Sequence, residues 1–121
     1  DSYRVDPKME EVLRYIGEHL TEELSVETLA SRFYLSRYYL MHRFKTVTGY
    51  SVHRYISQKR LLRAGELIRG GMPVSKAAAE AGWREYSTFL RAFQNTFHAS
   101  PRAFYTAAGE PEERGDRDAD R

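Results

Sequence analysis

Leu40, Phe44, Ser51 and Tyr55 each have a chemically similar counterpart 49 positions later, in Phe89, Phe93, Ser100 and Phe104, while Ala30 pairs with Ala78 at a separation of 48. Two related copies in one chain must fold alike, and the copied unit is a short helical segment, a tight turn and a second helical segment. That is the helix-turn-helix layout, in which a small residue such as Ala30 or Ala78 marks where two helices cross closely. The step in spacing from 48 to 49 gives the second copy a turn one residue longer. With 121 residues, 41% of them hydrophobic, the chain has room for one modest domain and no more. A plain helical bundle with a duplicated hairpin would satisfy the same repeat.

Local signals place the elements. Met9, Val12, Leu13, Ile16 and Leu20 recur at helical spacing after Pro7 and predict an amphipathic helix over residues 8–20. Leu24, Ser25 and Leu29 form a serine N-cap between apolar residues at N′ and N4, the hydrophobic staple that fixes how a chain enters a helix. The device returns as Leu35, Ser36 and Leu40, and again as Tyr50, Ser51 and Tyr55. Helices are therefore expected at about 26–33, 37–47 and 52–69, the last stopping at Gly70 and Gly71. Three more follow Pro73, at about 74–81, 86–96 and from Ser100-Pro101 onward, with Pro101 at N1. The expected fold is all-α, with about seven helices and two helix-turn-helix subdomains, 8–50 and 73–106, joined by a long linker helix over 52–69. Residues 1–7 read as a linker. The acidic segment 107–121 lacks apolar periodicity and is expected to be disordered.

Net charge conceals a division of labour. Residues 1–27 carry −5, residues 28–65 carry +8 with no carboxylate at all, residues 66–108 carry +2 and residues 109–121 carry −3. A carboxylate-free stretch holding Arg32, Arg37, Arg43, Lys45, Arg54, Lys59, Arg60 and Arg63 suits a polyanion, because each cation can displace counterions from nucleic acid. A solvated helical face would carry the same charges. The absence of cysteine excludes a disulfide framework, a thiolate zinc site and a catalytic thiol. His19, His42, His53 and His98 form no metal-ligand pair on one helical face, and no glycine loop suited to phosphate is present. No enzyme, cofactor or metal is expected. No apolar run approaches the length of a membrane helix and no signal peptide opens the chain, so it reads as soluble and cytoplasmic.

If Leu40, Phe44 and Val47 face the core, then Arg37, Tyr38, Met41, His42 and Lys45, the candidate base-reading residues, lie on the opposite stripe of the third helix. Phase-matching the sixth helix sends Phe89 and Phe93 inward and Tyr86, Ser87, Leu90, Arg91 and Gln94 outward. Arg91 can form a bidentate contact with guanine, and Tyr38 or Leu90 can touch thymine methyls, chemistry suited to a major groove. Ser36, Ser51 and Ser100 sit at helix N-termini where an anion is favoured, and Arg54, Lys59, Gln94 and Arg102 can add phosphate contacts. Capping alone would also account for each serine. Trp83, next to Gly82, is assigned to the core.

The ordered set of segments LSRYYLMHRFKTVTGYSVHRYI, Arg60-Leu61 with Ala64, Leu67 and Ile68, and AAAEAGWREYSTFLRAFQNTFHASPRAFY resembles the DNA-binding domain of the AraC/XylS family of bacterial transcription regulators over about residues 8–106. The resemblance implies two recognition helices in adjacent major grooves of double-stranded DNA, binding upstream of promoters and contact with RNA polymerase. It places base-reading positions on Tyr38, Met41 and His42, and on Tyr86, Ser87, Leu90 and Arg91. Two departures stand out: His98 replaces the glycine usual after the second recognition helix, and Glu85 replaces the usual Ser, Asp or Asn at its N-cap. A start at Asp1 rather than methionine is what a C-terminal fragment would show, with an effector-sensing or dimerising domain upstream. Because the two reading helices differ, an asymmetric site bound by one chain is expected. The competing reading is a helical adaptor that holds an acidic protein through the 28–65 surface.

Overall fold

A computed structural model describes residues 6–107, which form seven helices and, among the described residues, no strand: α1 (Pro7–Glu18), α2 (Val26–Arg32), α3 (Arg37–Thr48), α4 (Val52–Arg69), α5 (Val74–Glu80), α6 (Tyr86–Phe97) and α7 (Pro101–Ala107). The all-α expectation holds. The helices close around two separate cores, and the division falls inside α4, between Lys59 and Arg60. The acidic segment expected to be disordered lies, beyond Ala107, outside the described residues.

In the first unit, Met9, Val12 and Ile16 of α1 meet Leu29 and Ala30 of α2, Leu40 and Phe44 of α3, and Val52 and Ile56 of α4. The serine caps form as their spacing requires. Ser25 Oγ accepts the Thr28 N–H at 3.1 Å while Thr28 Oγ1 accepts the Ser25 N–H at 3.0 Å, and Ser36 Oγ accepts the Tyr39 N–H at 3.0 Å. In the second unit Leu61 and Ala64 of α4 pack with Val74 and Ala78 of α5, Ala81, Trp83, Phe89 and Phe93 of α6, and Tyr105 of α7. Gly65 permits this last contact, since a Cβ there would run into the Tyr105 hydroxyl.

The sequence repeat is a structural repeat. Phe44 and Phe93 are both 0% exposed, and each meets the next helix edge-on: Phe44–Tyr55 at 5.3 Å and 81°, Phe93–Phe104 at 5.7 Å and 79°. The helix ends match too. Leu35 N–H donates to the Ala30 carbonyl at 2.9 Å as Trp83 N–H donates to that of Ala78 at 3.0 Å. Beyond this point the second copy gains its extra residue, so Trp83 corresponds to Leu35 but the N-cap Glu85 corresponds to Ser36, and Arg84 is the insertion. Glu85 makes no side-chain cap bond, as its length suggests.

Three expectations need correction. Val47 is 42% exposed, because the buried residues of α3 are Leu40 and Phe44, with half-buried Thr48 continuing their row, and Val47 shares the neighbouring, more exposed row with Arg43. α1 ends at Glu18, where the His19 N–H returns to the Ile16 carbonyl, so Leu20 packs on the core from a turn rather than from the helix. Asp6 and Pro7, read as linker, begin α1: Pro7 is its first residue and Asp6 its N-cap, accepting the Met9 N–H at 3.2 Å.

Asp6 has a second task. Its Oδ2 accepts from Nε of Arg43, 37 residues away, tying the N-terminus of α1 to the middle of α3. The hydrogen bond from Arg43 holds the Asp6 carboxyl below its ordinary value, against the opposing effect of burial. Because the folded value is depressed, the stabilisation is complete above the carboxyl's unfolded pKa of about 4 and is lost as pH falls through the folded value. Asp6→Asn should therefore lower the urea midpoint of the wild-type protein at pH 7, with the difference closing as pH approaches 2. A difference that is constant with pH would contradict this.

His98 closes α6 in the left-handed conformation at φ 61, where Gly49 closes α3 at φ 84. A side chain bearing Cβ is strained there. His98→Gly should raise stability by about 0.5–1 kcal/mol in urea denaturation, and an unchanged or lower midpoint would contradict the assignment.

Candidate nucleic-acid interface

Burying Leu40 and Phe44 turns the other side of α3 to solvent. Arg37, Tyr38, Met41, His42 and Lys45 are all exposed, Tyr38 by 73%, as their spacing required. Tyr38 and His42, one turn apart, hold each other with ring centroids at 4.0 Å. Met41, His42 and Lys45 also form one wall of a cavity of about 430 Å³, whose other walls are Val26 at the start of α2 and Ser51, Val52 and His53 at the start of α4. Met41, His42 and Lys45 thus border a recess with cationic and apolar walls, which Tyr38 does not line.

The basic stretch is not uniformly available. Arg43 is committed to Asp6. Arg32 lies 4.5 Å over the Tyr15 ring of α1, away from the α3 stripe in sequence and in contacts. Arg63 pairs with Glu66 at 3.0 Å one turn along α4. Arg37 meets Glu27 at 3.6 Å, but both side chains are more than 60% exposed, and such a pair is weak enough to be exchanged for a phosphate. Lys45 has no ion pair among the described residues. The charged groups of Arg54 and Lys59 lie over the rings of Tyr50 and Tyr55, at 5.9 and 5.6 Å, cation–π contacts that order both side chains without neutralising their charge.

Ser51 Oγ accepts the Arg54 N–H at 3.1 Å and Ser100 Oγ accepts the Ala103 N–H at 3.1 Å. With Ser36, all three serines expected at phosphates are therefore helix caps. Each hydroxyl keeps its own proton to donate, so capping and phosphate contact are compatible.

The second unit presents a narrower stripe. Ser87, Arg91 and Gln94 are exposed on α6, whereas Tyr86 and Leu90, expected to point outward, are half-buried against the core. The aromatic core is the cause: Tyr86 lies 5.8 Å from Phe89, and the hydrophobic face of α6 extends round to take in Leu90. Arg91 has no ion pair among the described residues. Arg102 on α7 is half-buried.

Two contributors went unnoticed in the sequence. Arg84, the inserted turn residue, is exposed and adds its charge near Arg60, whose own ionisation burial and Arg84 both disfavour. The signal that could have found it is the step in repeat spacing, which marks a turn one residue longer without saying which residue is added. The Asp6–Arg43 pair spans 37 positions, beyond the reach of local patterns; Asp before Pro, a helix-start signal, could have drawn attention to Asp6 alone.

A family model described as a helix-turn-helix domain matches residues 29–107. The chain is 33% identical over 100 residues to the regulatory protein PocR of Salmonella typhimurium, covering 82% of this chain and 33% of PocR. It is 32% identical over 94 residues to the regulatory protein SoxS of Escherichia coli strain K12, covering 77% of this chain and 88% of SoxS. It spans, then, about a third of the first relative and most of the second. The DNA-binding domain of the global transcriptional factor AdpA, crystallised with a target DNA, matches with a TM-score of 0.78 at 33% identity over 85% of this chain and 93% of that one. The C-terminal domain of AraT, a response regulator from Geobacillus stearothermophilus, matches at 0.82 with 25% identity over 92% and 93%. With more than half of its length matched, the chain belongs to the AraC-type helix-turn-helix family of DNA-binding transcription regulators.

Proposed function

We propose that this chain reads duplex DNA with both α3 and α6, each in its own major groove, and that its site is asymmetric. The observation that carries the proposal is the unlike chemistry of the two exposed stripes. α3 offers Tyr38, Met41, His42 and Lys45, while α6 offers Ser87, Arg91 and Gln94. Two helices that present different groups cannot both prefer the same half-site. Arg91, exposed and without an ion pair among the described residues, takes O6 and N7 of a guanine. Met41 and Tyr38 contact thymine methyls, and His42 donates to a base or a phosphate. Leu90 and Tyr86 reach the groove only with their exposed edges, so they set the seating of α6 more than its hydrogen bonding.

Phosphates are gripped by Arg37, Lys45, Arg54, Lys59 and Arg102 and by the hydroxyls of Ser36, Ser51 and Ser100. AdpA's complex with a target DNA supports the duplex as ligand. The proposed setting is a promoter-upstream site from which the bound protein contacts RNA polymerase. In a polypeptide as long as PocR, an effector-binding or dimerising domain would share the chain.

Arg91→Ala tests the reading on a duplex selected by the wild-type protein from a random library. Affinity should fall by about 1–3 kcal/mol, with specificity relaxed at one base pair and thermal stability unchanged. Lys45→Ala should instead weaken all sequences alike and reduce the salt slope by about 1. Unchanged specificity in Arg91→Ala would remove it from the reading face.

A further inference from the structure

Tyr34 occupies a position that the fold reserves for glycine. It is the residue after the C-cap of α2, with φ 59, and the two hydrogen bonds of the Schellman closure run through it and its neighbour: Tyr34 N–H to the Ser31 carbonyl at 3.3 Å and Leu35 N–H to the Ala30 carbonyl at 2.9 Å. The second unit builds the same closure with glycine. Gly82 N–H donates to Ala79 at 3.1 Å, Trp83 N–H donates to Ala78 at 3.0 Å, and Gly82 sits at φ 111. The molecule thus shows that the turn needs no side chain there, and left-handed backbone is where a Cβ is strained.

Packing gives no compensation. Tyr34 is 94% exposed, the highest value among the large exposed hydrophobics, and its side chain makes no hydrogen bond or ring contact with the described residues. A strained, solvated aromatic ring gives the free fold no packing contact. Its surroundings say what it can meet. Tyr34 stands two residues before Ser36, the N-cap of α3, in a stretch from 28 to 65 that contains no carboxylate, and Arg37 and Tyr38, three and four residues on, are also exposed, Arg37 in only a weak, solvated pair with Glu27. An acidic, amphipathic surface fits that setting, and the sugar-phosphate strand beside a groove is one: deoxyribose accepts the ring and a phosphate oxygen accepts the hydroxyl proton.

We propose that Tyr34 is a DNA-backbone contact of the first unit, its ring against a deoxyribose and its hydroxyl donating to a phosphate next to the bases that the start of α3 reads. The inference rests on the DNA-reading function proposed above. It fixes the depth and register of α3 without reading sequence itself.

The test measures thermal unfolding and fluorescence-anisotropy binding to the selected duplex and to an unrelated duplex, for wild type, Tyr34→Gly, Tyr34→Phe and Arg91→Ala. Tyr34→Gly should unfold at a higher temperature yet bind both duplexes about 10-fold more weakly, with an unchanged salt slope because the phenol is uncharged. Tyr34→Phe should keep the wild-type unfolding temperature and lose a smaller factor, the share of the hydroxyl. If Tyr34→Gly binds as wild type does while Arg91→Ala is weakened, the DNA reading stands and the role of Tyr34 is overturned, leaving a protein partner as its user. If the wild-type protein binds no duplex, both fall. A lower unfolding temperature for Tyr34→Gly would also overturn the proposal, since the side chain would then serve the fold.

Discussion

Everything the molecule presents to a partner depends on one buried ring per unit. Phe44 and Phe93 stand in the middle of the second helix of each helix-turn-helix, fully enclosed, with Tyr55 and Phe104 of the following helix set edge-on against them. Burial of such a ring removes a large apolar area from water, and its truncation in a core costs about 3–5 kcal/mol. A helix with one side fixed that firmly has no freedom to roll. The rotation of α3 and α6, and so the identity of the residues turned outward, is decided by hydrophobic contacts that never meet a ligand.

Around that shared frame the two copies diverge wherever the frame tolerates it. The first unit has a working serine cap on α3 and a glycine after it, but a tyrosine in the turn before it. The second reverses each choice: glycine in the turn, a glutamate that makes no cap bond, and a left-handed histidine at the end of α6. The first unit thus carries its strain in the turn and caps its second helix well at both ends, whereas the second has a relaxed turn and a second helix poorly capped at both ends. Charge follows a similar division, with the first unit holding most of the carboxylate-free stretch and the second relying on Arg84, Arg91 and Arg102.

The frame was legible in the sequence because it rests on local and repeated signals. Serine caps, a helix-stopping Gly49, and buried residues at matched positions all act within a turn or two of where they stand. The misreadings occurred where a choice depended on distant partners. Val47 and Thr48 are both plausible neighbours for Phe44, and the packing that leaves Val47 42% exposed is not written in the local spacing. Tyr86 and Leu90 looked free because phase-matching assumes equal faces, whereas an aromatic core draws a wider arc of α6 inward. The conformation of Tyr34 was hidden for a different reason: a tyrosine carries no sign of positive φ, and only alignment of its turn with Gly82 exposes the strain.

The central claim is that two unlike helices read one duplex. Sequencing of the duplexes enriched by the intact chain from a random library at near-physiological salt tests it most directly. The expected result is one site made of two blocks of different sequence about 10 bp apart, one helical turn of DNA. A palindrome, a single enriched block, or no enrichment at all would contradict it.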